Sequence, residues 1–134
     1  MICLDTNVLV RYLMQDDAEQ AATADEVMDG LSQSHPGFIS IVVLAELSWV
    51  LTSAYRLPTN EVLPIVESLL SSDDVRVQQP DVVRRAVGVA RGPSGDFADA
   101  LIGCLGEAEG CSTTVTFDRR AARAPQMSLA GGTS

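Results

Sequence analysis

Short apolar runs alternate along this chain with longer stretches in which apolar positions recur every three or four residues. The short runs cover residues 1–4, 38–39, 75–79 and 113–117, and they are bounded by polar turn residues, which is typical of buried β-strands. The longer stretches between them predict helices. Strands that alternate with helices indicate an α/β fold in which a parallel sheet lies between two layers of helices.

The predicted helices begin and end at capping residues. Asn7 and Ser40 are predicted N-caps, and Asp17 stands three residues before Gln20 in a capping-box-like spacing. Gly110 is predicted to end the last long helix. The helices predicted in this way cover residues 8–14, 16–32, 41–55, 60–70, 81–91 and 96–109, with a short Arg-rich helix at 119–123.

Length and charge limit the organisation and the partners of the chain. Its 134 residues fit one domain, predicted at 1–129, and the Gly-rich tail 130–134 is predicted to be disordered. A formal net charge of −9 opposes binding of nucleic acid by bulk electrostatics. All nine basic residues are arginines. Any chemistry on nucleic acid must therefore rely on metal ions and a local arginine patch.

Cysteine and histidine contribute little to the predicted chemistry. Cys3, Cys104 and Cys111 form no metal-ligand spacing and are expected to be buried free thiols in a reducing compartment. The single histidine, His35, excludes a zinc site built on several histidines. The chain shows no signal peptide and no apolar stretch long enough to span a bilayer, so it is expected to be soluble and cytoplasmic, with no membrane partner.

Two acids follow predicted strands. Asp5 ends the opening strand, and Asp118 ends the strand at 113–117. If both strands lie in one parallel sheet, both carboxylates emerge at the edge where α/β sheets bind their ligands. The alternative is that each aspartate caps the helix that follows it.

Three further acids lie inside segments predicted to be buried. Glu46 has apolar neighbours almost all round its helix, so it is expected either to pair with an arginine or to line a site. Asp96 and Asp99 are spaced i, i+3 and share one helix face. A helix dipole that favours acids in the first turn explains Asp96 well and Asp99 less well.

A cluster of these carboxylates requires a cation or bound protons. Two unit charges about 4 Å apart repel by roughly 4 kcal/mol at an effective dielectric near 20. Carboxylate ligands suit Mg²⁺ or Mn²⁺. Such ions polarise a phosphoryl oxygen and activate water without a His or Lys base.

The order and context of these acids resemble the PIN domain family. The similarity rests on Leu4-Asp5-Thr6-Asn7-Val8-Leu9, the internal Glu46, the segment from Asp96 to Ile102, and Thr116-Phe117-Asp118. In size and layout the chain is similar to VapC-type ribonuclease toxins of toxin–antitoxin modules. The resemblance implies a three-layer α/β/α fold with a central parallel sheet of four to five short strands.

The resemblance also implies an activity and a site. Asp5, Glu46, Asp99 and Asp118 correspond to the family's catalytic acids; Asp5, Asp99 and Asp118, together with Asp96, would bind Mg²⁺ or Mn²⁺. The activity implied is hydrolysis of RNA by water, leaving a 5′-phosphate and a 3′-hydroxyl. The implied partners are RNA, a second copy of the chain in a homodimer, and a small antitoxin protein. The polar residues matched to positions that orient the acids are Thr6, Asn7 and Thr116.

Several alternatives remain at this stage. Arg119, Arg120 and Arg123 either hold substrate phosphates or form a solvated helix face, and Arg11 with the pair Arg84-Arg85 is a weaker choice. A haloacid-dehalogenase-type phosphatase or a receiver domain fits poorly because the chain has no lysine. The serious alternative is a catalytically silent PIN-fold binding or assembly module that retains metal binding.

Overall fold

The structure, a computed structural model, describes residues 1–132 and contains helices and strands in the predicted alternation. The predicted helices and strands are confirmed to within a few residues at their ends. A fifth strand, which the sequence analysis missed, follows Pro125. The elements are β1 (Ile2–Cys3), α1 (Thr6–Met14), α2 (Ala18–Asp29), β2 (Gly37–Ile39), α3 (Ile41–Ser53), α4 (Thr59–Ser71), β3 (Val75–Val77), α5 (Pro80–Ala90), α6 (Phe97–Ala108), β4 (Thr114–Thr116), a 3₁₀ turn (Ala121–Arg123) and β5 (Met127–Leu129).

All strand pairs are parallel, as an α/β fold predicts, but the strands form two ladders. The central sheet has the order β1-β2-β3, and β4 pairs only with β5 among the described residues. The expectation of four to five strands in one sheet is therefore corrected to three. The backbone groups of β4 are instead used by β5: residues Thr114–Thr116 pair with Met127–Leu129, and the Thr114 amide donates to the Gln126 carbonyl at 2.8 Å.

Side-chain caps explain where α2 and α3 begin. The Asp17 side chain accepts a hydrogen bond from the Gln20 amide at 3.0 Å, and Ser40 accepts one from the Val43 amide at 3.1 Å, which confirms both predicted caps. Helix α1 begins at Thr6, with Asp5 in the N-cap position, so the prediction of Asn7 as its cap was wrong by two residues.

One cluster of aliphatic side chains forms the core between the sheet and the helices. The inner face of α3 contributes Leu44, Leu47 and Leu51, each at most 1% exposed. A Cβ at Gly37 in β2 would lie 2.8 Å from the Leu4 side chain and 3.0 Å from that of Leu31, so a larger residue there would force both leucines to shift. The core therefore packs closely against β2 where this strand begins.

Two expectations about burial are corrected. Helix α3 is not buried on all sides, because Val42 and Trp49 are 77% and 67% exposed on its outer face. Hydrophobic patterning cannot separate such an exposed apolar face from core. Of the three free cysteines only Cys104 is buried. Cys3 is exposed in the edge strand β1, and Cys111 is exposed in the connection between α6 and β4.

The last described residues are tied to β4. The Ala130 amide donates to the Thr116 carbonyl at 2.7 Å, while residues 133 and 134 of the predicted disordered tail lie outside the described residues. Within residues 1–132, no helix combines the length and the apolarity that crossing a bilayer requires.

Candidate active site

The carboxylate of Asp5 is free of the helix that it precedes. Asp5 occupies the N-cap position of α1 in an extended conformation, yet its side chain makes no capping hydrogen bond, and it is exposed. The alternative reading of Asp5 as a capping residue therefore fails. The next residue, Thr6, is 2% exposed, and its hydroxyl oxygen has no hydrogen-bond partner among the described residues. Asp5 is thus available for a ligand.

Asp96 and Asp99 do different things at the start of α6. The Asp96 carboxylate accepts a hydrogen bond from the Asp99 amide at 2.8 Å, which makes Asp96 the N-cap of the helix. The Asp99 side chain, one turn further on, takes part in no hydrogen bond among residues 1–132. The sequence argument that the helix start explains Asp96 better than Asp99 agrees with this geometry.

Asp118 is held in a tight turn after β4. Its amide donates to the Thr116 hydroxyl at 3.0 Å, and its carboxylate accepts from the amides of Arg120 and Ala121 at 2.8 and 3.1 Å. Asp118 therefore does cap the following turn. Thr116 orients the backbone of Asp118, which is the role expected of it.

These three acids influence one another electrostatically. Burial raises the pKa of the Asp99 carboxyl, and the negative charges of Asp96 and then Asp118 raise it further, while the Arg120 guanidinium opposes them. The structure therefore brings together three of the acids predicted from sequence. A cation placed there would relieve their repulsion.

The remaining two acids, Asp5 and Glu46, are both exposed. Asp5 and Glu46 are not among the charges that raise the Asp99 pKa, and Glu46 is exposed beside Val42 and Trp49 on the outer face of α3. Within residues 1–132, no group of three or more His, Cys, Asp or Glu side chains is placed so that it could hold one metal ion. The carboxylate donors fit Mg²⁺ or Mn²⁺ by their chemistry, but the arrangement is not a preformed cage.

The arginines fall into two groups. The weaker candidates for substrate binding are already engaged: Arg11 with Asp16 at 3.3 Å, Arg84 with Asp81 at 3.2 Å, and Arg85 with Glu107. The three arginines after Asp118 are exposed and form no ion pair among residues 1–132. These are Arg119, Arg120 and Arg123.

Arg11 has a structural task. Its guanidinium donates to the Gln20 side chain at 2.7 Å and to the Tyr55 hydroxyl at 3.4 Å, and the Tyr55 hydroxyl donates to Asp16 at 2.8 Å. The hydrogen bond from Tyr55 and the nearby charge of Arg11 lower the pKa of Asp16. The network ties α1 to α2 and to the end of α3.

Sequence analysis missed an exposed aromatic side chain beside this site. Phe117, directly before Asp118, is 89% exposed. Its position after an alternating Thr-Val-Thr strand was the available signal, but alternation alone was taken to indicate a buried strand.

Comparison with known proteins gives two matches. Residues 2–126 match the PIN domain family. A curated VapC ribonuclease of Aquifex aeolicus (strain VF5) is 27% identical over 121 residues, which cover 90% of this chain and 89% of the relative. The match spans every acid discussed above.

Proposed function

This chain belongs to the PIN domain family, and on that premise we propose that it is a metal-dependent endoribonuclease, the toxin component of a toxin–antitoxin module. The similarity to a VapC ribonuclease supports this proposal. The observation that carries it is the position of Asp99 one helical turn after Asp96, where burial and then the charges of Asp96 and Asp118 raise the pKa of its carboxyl, a cost that a bound cation would offset.

The proposed roles follow the sequence prediction. Asp5, Glu46, Asp99 and Asp118 are the catalytic acids, and Mg²⁺ or Mn²⁺ is held by Asp5, Asp99 and Asp118 with help from Asp96. When bound, such an ion polarises a phosphoryl oxygen and promotes ionisation of water. Asp5 and Glu46 carry no ion pair among residues 1–132, so both have carboxylates available.

The chain's own residues position the substrate. Thr116 fixes the turn that holds Asp118, and Thr6 and Asn7, the first two residues of α1, follow Asp5 directly and are proposed to orient it. Arg119, Arg120 and Arg123 offer guanidinium groups to the phosphates of RNA next to the acids. This local patch answers the objection raised by a net charge of −9, because it places positive charge where the backbone must approach.

The proposal includes two protein partners. A homodimer would cover the apolar side chains of Val42 and Trp49, which are 77% and 67% exposed on the same face of α3 as Glu46, and contiguous exposed apolar surface is typical of protein interfaces. A small antitoxin that covers the acids would match the similarity to a VapC protein. Both partners can be sought by co-purification.

Cleavage of a mixed RNA pool tests the activity. Wild type and Asp5→Asn are incubated with Mg²⁺, with Mn²⁺ and with EDTA, and the products are examined for 5′-phosphate and 3′-hydroxyl ends. Asp73→Asn is the matched control, because it also removes one exposed carboxylate, and Asp73 lies in the connection between α4 and β3, outside the proposed set of acids. Cleavage that needs a divalent ion, survives Asp73→Asn and is lost in Asp5→Asn is the expected result.

Metal binding is measured separately by thermal unfolding. A ligand at 100 times its dissociation constant raises the free energy of unfolding by about 2.7 kcal/mol. Metal-induced stabilisation without cleavage of any RNA would indicate the alternative, a silent binding module. Unchanged cleavage by Asp5→Asn in a nuclease-free preparation would refute the proposed mechanism.

A further inference from the structure

A cleft of about 980 Å³ lies beside the acids and has no role in the site described so far. It opens between the connection from α3 to α4, the first turns of α4 and the end of α5, and it reaches Asp96 and Arg120. Ligand clefts in proteins occupy roughly 300–1,000 Å³, so its volume suits a small organic ligand or part of a larger one.

The lining of the cleft is partly apolar and partly polar. Its apolar residues are Leu57, Pro58, Leu63 and Pro64, of which Leu63 is 2% exposed. Its polar residues include Asn60, which is exposed one helical turn before Pro64. A lining that combines apolar side chains with a hydrogen-bonding side chain fits a flat, partly polar group such as a nucleobase.

The lining of the cleft is less acidic than the chain as a whole. Its lining contains two arginines, Arg91 and Arg120, against one acid, Asp96, whereas the whole chain carries −9. Asp96 is engaged by the Asp99 amide, and Arg91 pairs with Glu67 at 2.5 Å. Arg120 is in no ion pair among residues 1–132, which leaves its charge for an anionic ligand.

The loop between α5 and α6 fixes Arg120 at the junction of cleft and acids. The Thr59 hydroxyl donates to the Gly95 carbonyl at 2.6 Å, which ties this loop to the start of α4. Gly95 has a φ of +61°, and a Cβ there would lie 2.5 Å from the Arg120 guanidinium. The guanidinium therefore packs over the glycine, while its charge also acts on Asp99.

We propose that this cleft binds one unpaired nucleotide of the RNA substrate, next to the phosphodiester bond that is cleaved. The phosphate of that nucleotide meets Arg120, its base lies against Leu57 and Pro64, and Asn60 is within the cleft to bond the base edge. This inference rests on the proposed nuclease function. It adds where the nucleotide next to the cleaved bond is held, and a base held there must be unpaired, because a paired base cannot enter a cleft.

Titration with nucleoside 5′-monophosphates tests the proposal without relying on cleavage. The four nucleotides, the free nucleosides and inorganic phosphate are each added to the full chain in EDTA, and backbone amides are followed by NMR. Nucleotides are expected to shift the amides of Asn60, Gly92 and Gly95. Inorganic phosphate alone should shift only amides close to Arg120, and nucleosides should bind more weakly than nucleotides.

Matched variants separate the cleft from general charge effects. Arg120→Ala should weaken nucleotide binding about tenfold, as expected when a charged hydrogen bond to phosphate is lost. Arg76→Ala removes the same charge from the exposed side of β3 and should leave binding unchanged. Asn60→Trp should fill the cleft and block binding, whereas Asn60→Ala should have a smaller effect; circular dichroism checks that each variant folds.

The outcomes distinguish this inference from the proposed function. A chain that cleaves RNA but shows no nucleotide-dependent shift in the cleft, or that binds nucleotides as well after Arg120→Ala as before, keeps the proposed function and overturns the inference. A chain that binds nucleotides in the cleft but cleaves no RNA supports the binding site and refutes the nuclease. Equal cleavage of single-stranded and fully paired RNA would also overturn the inference.

Discussion

The backbone amide of Asp99 donates a hydrogen bond to the carboxylate of Asp96 at 2.8 Å, so of two acids one helical turn apart only the first has a carboxylate that caps the helix. Asp96 is tied to the helix start. Asp99 is partly buried, and its pKa is raised by burial and by the charges of Asp96 and Asp118. The predictions that follow begin with this pair.

Asp99→Asn is expected to raise the free energy of unfolding at pH 7, because the charge that is desolvated and repelled in the native state is removed. A raised native pKa means that the native state holds this proton more tightly than the unfolded chain. The contribution of Asp99 to stability is therefore full below about pH 3.9, the ordinary pKa, and is lost as the pH rises through the raised native pKa. Solvent screening limits the gain to less than about 1 kcal/mol.

Urea unfolding of wild type and Asp99→Asn at several pH values measures this effect, without divalent ions. The advantage of the variant should shrink as the pH falls toward about 3.9. Asp73→Asn serves as the control for loss of an exposed charge. The electrostatic account of Asp99 would be contradicted if the variant were less stable than wild type at pH 7. It would also be contradicted if the difference in free energy of unfolding were the same at every pH.

Asp96→Ala is expected to lower the free energy of unfolding by about 1 kcal/mol, because the N-cap of α6 loses its acceptor. Asp96→Ser should restore most of that stability, since a hydroxyl oxygen can cap the helix in the same way. Thermal unfolding compares the three proteins, and RNA cleavage is measured beside it. If Asp96→Ser is stable but inactive, Asp96 acts as a metal ligand; if it is stable and active, Asp96 is needed only for the helix.

Gly95→Ala is expected to destabilise the fold by about 1–2 kcal/mol, because an L-residue is strained at a φ of +61°. The added methyl group also displaces the Arg120 guanidinium, so nucleotide binding in the cleft should weaken. Gly88→Ala is the control, since its Cβ would meet nothing within 4 Å and alanine favours a helix interior. Equal stability of the two variants in chemical denaturation would contradict the assigned backbone strain.

Trp49→Ala is expected to weaken self-association by at least about 2 kcal/mol, the cost typical of truncating a buried interface tryptophan. Sedimentation equilibrium measures the monomer–dimer balance. Ile102→Ala removes apolar surface from α6, where the side chain is 54% exposed, and serves as the comparison. A wild-type chain that stays monomeric at high concentration would remove the basis for the dimer.

The sequence predicted the alternation of helices and strands well, because caps such as Ser40 and Asp17 act over three or four residues. It also singled out Asp99 as the acid that a helix start explains less well than Asp96. It failed for α3, where Trp49 and Val42 were predicted to be buried, because the sequence around an apolar side chain does not show whether another part of the fold covers it. The short strand β5 was missed for a related reason, since three residues give too little pattern to separate a strand from a loop.

The arrangement of the site was the least predictable part. Sequence placed Asp5 and Asp118 at strand ends, but whether β1 and β4 share a ladder depends on long-range packing that no local pattern encodes. The cleft beside Arg120 was likewise invisible, because its walls come from α3, α4, α5 and the loop before α6.

The separate pairing of β4 with β5 has a consequence for how the molecule loses activity. Asp118 and Arg120 belong to a small hydrogen-bonded unit of their own, whereas Asp5 follows a strand of the three-stranded sheet. Proteins open in cooperative parts, and small parts open at lower free energy than the whole. Amide hydrogens of β4 and β5 should therefore exchange with solvent ahead of those in β2, and the chain should become inactive in denaturant before its main sheet melts.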